Sequence, residues 1–228
     1  MTVRVGDTVR RPRSDRSSWV EGLLVHLDEV GADVAPRFLG VDDRGRQVLE
    51  YVEGETVPGP PYHLGDERIV DSMRLLRRFH DATAGTAWAG PADVVCHRDL
   101  GPHNTVYRGT QAVRIIDWDD DVSPGRRVED VADAVWGFCD LVDDHAAVAE
   151  QARRLALACE AYGGVTPEET VVELSGYFSR SLENHRAAGR DGAVQVFRQL
   201  LGWTEQHHDA LTRPRPATRS TGRSAPSR

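Results

Sequence analysis

Residues 94–121, VVCHRDLGPHNTVYRGTQAVRIIDWDDD, set polar side chains between two short apolar strands. The strands cover 106–107 and 113–116 and are joined by a turn. Asn104 precedes the first strand and Asp117 follows the second, so closing the hairpin would set these two residues nearly opposite each other, within about 5 Å. The fold must therefore hold an antiparallel pair of strands with polar residues at its open end.

An amide oxygen beside a carboxylate oxygen is a pair of hard ligands that suits Mg²⁺, which prefers one or two carboxylates together with substrate phosphates. Asp99 lies five residues before Asn104 and can approach the same place without being a ligand. That position suits a residue that orients or deprotonates a hydroxyl. The alternative is that Asp99 and Asn104 are turn residues whose side chains bond to nearby backbone.

The segment HRDLGPHN followed by IIDW resembles the catalytic loop and metal-binding aspartate of the aminoglycoside phosphotransferase family, relatives of the protein kinases. The kinase pattern H-R-D-L-x-x-x-N is matched at His97, Arg98, Asp99, Leu100 and Asn104. The resemblance implies that Asp99 is the catalytic base, that Asn104 and Asp117 hold Mg²⁺, and that His97 supports the loop. It also implies ATP or GTP as the phosphoryl donor.

Hydrophobic periodicity elsewhere predicts an α+β chain in two lobes. Residues 1–53 read as a reduced N-terminal nucleotide-binding lobe, with short strands, one helix and a hairpin. Residues 54–212 read as a mainly helical C-terminal lobe with the catalytic loop and acceptor cleft. Residues 213–228 hold five arginines and no acid, so we expect a disordered basic tail. By resemblance, the layout is a protein-kinase-like two-lobed fold.

Amphipathic spacing predicts the helices of the larger lobe, which cover 67–85, 128–142, 148–162, a stretch that opens at Thr166, and 191–210. By resemblance, the second of these is the helix after the metal-binding strand and covers 126–141. Thr166 and Glu169 match a capping box. Asp130 resembles an aspartate that supports the catalytic loop, and we interpret it as structural. Four aromatic residues on these helices are expected to fill the core, although one of them could contact substrate: Trp136, Tyr162, Phe178 and Trp203.

The hairpin RFLGV and QVLEYV resembles the paired strands and hinge of the small lobe, which implies that backbone near Glu50 and Val52 holds the nucleobase, with Ile116 beside it. The family normally has a glycine-rich hairpin and a lysine; this chain has no G-x-G-x-x-G and no lysine at all. Arg10 is the best replacement, with Glu21 as its ion-pair partner. Arginine can hold phosphate oxygens in a fork but is not equivalent to lysine. Strand alternation points only one of Arg10 and Arg11 inward.

The formal net charge is −8, and residues 1–212 alone carry 23 arginines and 36 acidic residues. This acidic body argues against nucleic-acid binding and favours a cationic acceptor. Asp119 and Asp120 either contact such a substrate or belong to a solvated loop. By resemblance, Glu160 and Glu183 lie on helices that line the acceptor cleft.

No apolar run approaches the roughly 20 residues of a membrane helix, and the N-terminus has no signal-peptide core. Three widely spaced cysteines, Cys96, Cys139 and Cys159, indicate reduced thiols. We therefore expect a cytoplasmic protein with no membrane partner. The sequence gives no indication of oligomeric state.

Two functions are open at this point. The first is a phosphotransferase that moves the γ-phosphoryl of a nucleoside triphosphate to a hydroxyl of a small cationic molecule, such as an antibiotic or an amino alcohol. The second is a non-catalytic, kinase-like binding or immunity protein that sequesters a peptide or antibiotic. The missing glycine loop and lysine favour the second, whereas the intact set of Asp99, Asn104 and Asp117 favours the first.

Overall fold

A computed structural model describes residues 1–60, 62–119, 121–142 and 145–213. Within these ranges the chain forms eight β-strands and six α-helices. The predicted α+β class is confirmed. The boundaries predicted at residues 53 and 212 remain predictions, and all but the first residue of the predicted tail lies outside the described ranges.

The N-terminal part is a four-stranded antiparallel sheet in the order β1-β2-β4-β3. Its strands are β1 (Val3–Val5), β2 (Thr8–Arg11), β3 (Phe38–Val41) and β4 (Gln47–Glu50). Gly45 takes a φ of 71° in the β3–β4 turn, a conformation that glycine adopts without strain. Helix α1 (Ser17–Glu29) connects β2 to β3 and buries one apolar face: Val20, Leu23, Leu24 and Leu27.

Helix α1 packs onto the remainder of the chain through close aromatic contacts. The Trp19 and Trp88 rings meet edge to face with centroids 5.7 Å apart. A Cβ placed on Gly22 would lie 2.6 Å from the Trp88 ring, so the tryptophan occupies the space that a larger residue would need. His26 Nε2 lies 3.0 Å from the carbonyl oxygen of Ala82. These contacts hold α1 against the C-terminal part of the chain.

The C-terminal part has two short strand pairs and five helices. β5 (Val94–Cys96) pairs with β8 (Ser123–Gly125), and β6 (Thr105–Arg108) pairs with β7 (Gln111–Ile115). The helices are α2 (Asp66–Thr83), α3 (Arg127–Phe138), α4 (Val148–Tyr162), α5 (Pro167–Ala187) and α6 (Asp191–Thr212). All five lie close to their predicted positions. The capping box of α5 is confirmed, since Glu169 N–H donates to Thr166 Oγ1 at 3.2 Å.

One buried apolar cluster runs through both parts, from Leu24 of α1 through Phe79 of α2 to Phe178 of α5. Tyr162 and Phe178 are buried as predicted, whereas Trp136 and Trp203 are only partly buried and pack against the core. A backbone hydrogen bond of 2.8 Å from Ile115 N–H to the Val34 carbonyl also joins β7 to the loop after α1. Among the described helices, none is long and apolar enough to cross a membrane.

Candidate active site

The loop between β5 and β6, which carries Asp99, is held by the buried carboxylate of Asp130, on α3. Asp130 accepts hydrogen bonds from the backbone N–H groups of His97 and Arg98, both at 2.8 Å, and from His80 Nε2 at 2.9 Å. His80 Nδ1 in turn lies 2.7 Å from the Tyr162 hydroxyl. The loop and α2 therefore both contact the Asp130 carboxylate, and α4 is joined to it through His80, so Asp130 has the structural role predicted for it.

Burial alone would raise the pKa of Asp130, but its hydrogen bond and ion pair with His80 and the two loop N–H groups lower that pKa below its ordinary value. Asp130 is therefore ionised at neutral pH. A buried charge is tolerated only when it is paired and hydrogen-bonded, and each oxygen of this carboxylate has partners. The hydrogen bonds of Asp130 fix the backbone of the two residues just before Asp99.

His97 ties the loop to the strand that leads to Asp117. Its Nε2 donates to the Ile116 carbonyl at 3.1 Å, and its ring meets Trp118 edge to face at 5.0 Å. Burial lowers the pKa of His97, so the ring is neutral and carries its proton on Nε2. The position fits a supporting residue that lies behind the reacting groups.

Asn104 and Asp99 are joined directly. Asn104 Nδ2 donates to the Asp99 carbonyl at 2.8 Å and to Asp99 Oδ2 at 2.9 Å. Because the amide nitrogen is used in this way, Asn104 Oδ1 remains as an acceptor on the opposite side of the amide. Asn104 is buried, whereas the Asp99 side chain is 53% exposed. The turn interpretation therefore applies to the backbone contact of Asn104, while the Asp99 carboxylate faces a cavity.

The register of the hairpin differs by one residue from the expected pairing. Thr105 pairs with Ile115, and Ile116 N–H donates to the Asn104 carbonyl at 2.8 Å. Ile116, rather than Asp117, therefore stands opposite Asn104. Asp117 lies one residue beyond, with a φ of 63°, a left-handed conformation that aspartate tolerates better than most residues. Its carboxylate is half exposed, and its Oδ1 lies 3.2 Å from Arg11 Nη2.

A cavity of about 520 Å³ lies between the N-terminal sheet and the β6–β7 hairpin; we call it the strand-side cavity. The structure brings five predicted site residues together on its wall: Glu50, Val52, Asn104, Ile116 and Asp117. The backbone N–H groups of Glu50 and Tyr51 already donate to neighbouring carbonyls, each at 2.9 Å. Val52 is the next residue, just beyond the end of β4.

The prediction that Arg10 is the basic residue of this cavity is wrong. Val9 and Arg11 of β2 line the cavity, so strand alternation turns Arg10 to the other face, where it pairs with Asp42 at 3.7 Å. Glu21 does not pair with Arg10 either. Instead, Arg13 holds it in a two-point contact at 2.8 and 2.9 Å. Arg11 is the guanidinium that reaches Asp117.

A second cavity, of about 650 Å³, lies on the other side of the loop between β5 and β6; we call it the helix-side cavity. Its wall combines carboxylates with aromatic rings: Asp99, Asp133, Asp140, Tyr62, Trp136 and Tyr177. Aromatic faces and carboxylates both attract cations. The lining therefore suits a ligand with an apolar body and positive charge.

Two of these carboxylates, Asp140 and Asp133, differ in the partners that they bind. Asp140 pairs with Arg154 at 2.8 Å and accepts backbone N–H bonds from Tyr62 and His63, so it anchors the connector before α2. Asp133 accepts only a 3.2 Å bond from Leu100 N–H among the described residues. Burial, followed by the nearby charges of Asp130 and Asp99, raises its pKa well above the ordinary value. Asp133 is therefore the carboxylate that an incoming cation would stabilise most.

The other predicted substrate residues lie elsewhere. Glu160 and Glu183 are exposed on α4 and α5 and do not line the helix-side cavity, since the faces that they occupy point to solvent. Asp119 lies on the strand side, 3.8 Å from Arg11, and Asp120 is outside the described residues. Sequence reasoning missed Asp133, although its spacing of three residues from Asp130 places both on one face of α3.

The chain is similar in sequence to known proteins. The model of the phosphotransferase enzyme family matches residues 22–167. The trifolitoxin immunity protein of Rhizobium leguminosarum bv. trifolii is 35% identical, over 70% of this chain and 69% of that protein.

Two solved structures are similar in fold. The choline kinase of Cryptosporidium parvum Iowa II has a TM-score of 0.60 at 11% identity. The superposition covers 91% of this chain and 84% of the choline kinase chain. The GDP complex of aminoglycoside 2′-phosphotransferase-IIIa has a TM-score of 0.57 at 14% identity, with coverages of 91% and 89%. At these identities the likeness concerns the fold alone, which is the predicted kinase-like α+β fold.

Proposed function

Because the chain belongs to the phosphotransferase enzyme family, we propose that it transfers the γ-phosphoryl of Mg-ATP or Mg-GTP to a hydroxyl of a small cationic molecule. One observation carries this proposal. Asn104 lines the strand-side cavity, Asp99 lines the helix-side cavity, and the hydrogen bond between them joins the two. A donor on one side and an acceptor on the other would meet at this bond.

The residues of the strand-side cavity fit a magnesium ion. Asn104 Oδ1 faces away from Asp99, and Asp117 offers a half-exposed carboxylate on the same wall, which together are the hard oxygen donors that Mg²⁺ prefers. Bound Mg²⁺ would neutralise charge on the transferred phosphoryl group. Arg11, which now contacts Asp117, would turn its guanidinium to the phosphate oxygens.

The remaining roles follow from position. Asp99 would accept the proton of the acceptor hydroxyl, and His97 and Asp130 would keep the loop that carries it in place. Val52 N–H and the side chain of Ile116 would hold the nucleobase at the far end of the strand-side cavity. Catalysis would depend on positioning and on charge, since phosphoryl transfer requires little covalent chemistry from the protein.

The helix-side cavity supports a cationic acceptor. Asp133 lies on its wall without an ion-pair partner among the described residues, and the rings of Tyr62, Trp136 and Tyr177 supply apolar and cation-attracting faces. A nucleoside triphosphate donor and three buried free cysteines fit the cytoplasmic location expected from the sequence. An antibiotic or an amino alcohol remains the acceptor class that we propose.

Thermal unfolding with ATP or GTP, in the presence and absence of Mg²⁺, tests the proposal. A nucleotide at one hundred times its Kd stabilises a protein by about 2.7 kcal/mol, which raises Tm by roughly 5–10 °C in a chain of this size. We expect Asp117→Ala to abolish the metal-dependent part of this shift. Asp43→Ala, in the exposed β3–β4 turn, is the matched control. If neither nucleotide shifts Tm at millimolar concentration, the proposal is wrong.

A second candidate function is binding without catalysis. The 35% identity to an immunity protein favours it, as do the absence of lysine and the Arg11–Asp117 ion pair at the place proposed for the metal. In that case the helix-side cavity would hold a peptide or antibiotic. Such a protein would bind its ligand equally well with and without Mg-nucleotide, and isothermal titration in both conditions separates the two functions.

A further inference from the structure

The imidazole of His103 stands against the Asp99 carboxylate, where the proposed reaction gives it no role. His103 Nε2 lies 3.6 Å from Asp99 Oδ1, and His103 Nδ1 lies 3.1 Å from the Tyr62 hydroxyl. The Tyr62 and His103 rings stack with centroids 6.2 Å apart and planes 18° apart. The imidazole thus bridges the carboxylate of the catalytic loop and a tyrosine of the connector before α2.

Space for this ring depends on Gly101. A Cβ at residue 101 would lie 2.7 Å from Cε1 and 2.8 Å from Nδ1 of His103, closer than Cβ atoms approach other atoms in proteins. Any larger residue would therefore displace the ring. Gly101 therefore lies against one side of the ring, and Tyr62 stacks on it.

The 3.6 Å approach of His103 Nε2 to Asp99 Oδ1 is an electrostatic contact, whereas the contact with Tyr62 is a hydrogen bond. An ionised carboxylate only accepts, so a favourable approach to Asp99 Oδ1 requires a proton on His103 Nε2. The Tyr62 hydroxyl then donates to Nδ1 and fixes this tautomer. Since Asn104 Nδ2 holds the other oxygen, Oδ2, both oxygens of Asp99 are constrained from different sides.

We propose that His103 is a positioning residue that, oriented by Tyr62, fixes the rotation of the Asp99 carboxylate toward the acceptor hydroxyl. This inference rests on the proposed function. A catalytic base must be held within roughly 0.5 Å of its working geometry, and a half-exposed aspartate with a single partner would rotate freely. The imidazole supplies the second partner.

Kinetics of Mg-ATP turnover, with water as the acceptor, give the first test. We expect His103→Ala to lower kcat about tenfold with an unchanged KM for the nucleotide, because the residue acts on orientation rather than on nucleotide binding. His103→Gln, which keeps a terminal N–H donor, should recover most of the loss. His63→Ala, an exposed histidine of the same connector, is the control. A rise in KM with unchanged kcat would overturn the proposal.

The contribution of Tyr62 to kcat can be measured separately from that of His103. Tyr62→Phe removes only the hydroxyl, and we expect a loss of about threefold in kcat. Combined with His103→Ala it should add no further loss, since both changes act through the same contact. Full additivity of the two losses would mean that Tyr62 does not act through His103.

Nuclear magnetic resonance of the full chain with ¹⁵N-labelled histidine, at pH 8, reads the contact without turnover. We expect an Nε2–H tautomer for His103, a mixed tautomer in Tyr62→Phe, and a shifted His103 signal in Asp99→Asn. A proton on Nδ1 would overturn the inference. Equal turnover in the parent and Asp99→Ala would refute the proposed function, whereas loss in Asp99→Ala with none in His103→Ala refutes the positioning role alone.

Discussion

The loop that carries Asp99 and the N-terminal sheet hold the residues of the proposed site in different ways. In the loop, the backbone of His97 and Arg98 is tied to the fully buried Asp130, and Asn104 is tied to Asp99. In the sheet, the proposed phosphate-binding cation is a single side chain, Arg11, that reaches from β2 to Asp117 across the cavity. Buried hydrogen bonds thus fix the proposed chemistry, while a partly exposed ion pair carries the proposed phosphate contact.

This difference predicts which part of the site tolerates substitution. Removal of one partner from a buried network leaves uncompensated polar groups, whereas a partly exposed ion pair contributes little to stability. We therefore expect substitutions around the loop to affect both folding and turnover. Substitutions on the sheet side should affect ligand affinity alone.

The largest expected effect is on turnover, at the loop itself. Asp99→Ala should lower Mg-ATP turnover by roughly 10²–10⁴, because a positioned general base contributes about that much. Steady-state kinetics with circular dichroism as a check of the fold would measure it, with Asp93→Ala, exposed just before β5, as the control. A loss of only a few-fold in a folded variant would remove Asp99 from the proposed mechanism.

The next effect is on stability. Asp130→Ala should reduce the free energy of unfolding by about 3–5 kcal/mol at pH 7, because it strands His80 and two loop N–H groups in the core. Since the folded pKa of Asp130 is lowered, its stabilising effect is present above its unfolded pKa and is lost as pH falls through the folded value. Urea denaturation should therefore show the same difference from the parent at pH 7 and pH 5, and a smaller difference at pH 3.

On the sheet side, Arg11→Ala should weaken Mg-nucleotide binding by about tenfold, which corresponds to the loss of a hydrogen bond to a charged group. Arg10→Ala is the matched control, because its side chain faces Asp42 on the other face of the same strand. Isothermal titration calorimetry compares the two variants. Equal losses in both would mean that β2 presents its arginines differently from the arrangement described above.

The smallest expected effect is a gain. Asp133→Asn should raise the free energy of unfolding by roughly 0.5–2 kcal/mol, since it removes an acid held near other carboxylates while an amide oxygen can still accept from Leu100 N–H. The raised pKa of Asp133 means that the parent loses stability as pH rises toward that value, so the gain should be larger at pH 8 than at pH 5. Scanning calorimetry at both pH values checks it, and a destabilised variant at pH 8 would contradict it.

Local patterns predicted most of the fold. The capping box at Thr166 and Glu169, the amphipathic faces of α2 to α6 and the β3–β4 hairpin each depend on neighbours in sequence, and each is present. The order of Asp99, Asn104 and Asp117 around two short strands likewise predicted that these residues would gather.

What the sequence could not provide depends on packing between distant elements. Strand alternation limits the inward arginine to Arg10 or Arg11, but only the pairing of β2 with β4 decides between them. The family resemblance implies that Glu160 and Glu183 lie on helices that line the acceptor cleft. The rotation of each helix about its axis turns both side chains outward instead. Tyr62 comes from an irregular connector whose path no periodicity describes, so its stack with His103 had no sequence signal.

The tight fit of α1 against the C-terminal part has a consequence for how this chain can evolve. Gly22 leaves room for the Trp88 ring, and more than sixty residues separate the two positions. A recombination event between related genes near residue 53 would inherit one partner without the other, and any larger residue at position 22 would collide with the indole. We therefore expect the two positions to vary together among descendants, so that the two halves are transmitted as one unit.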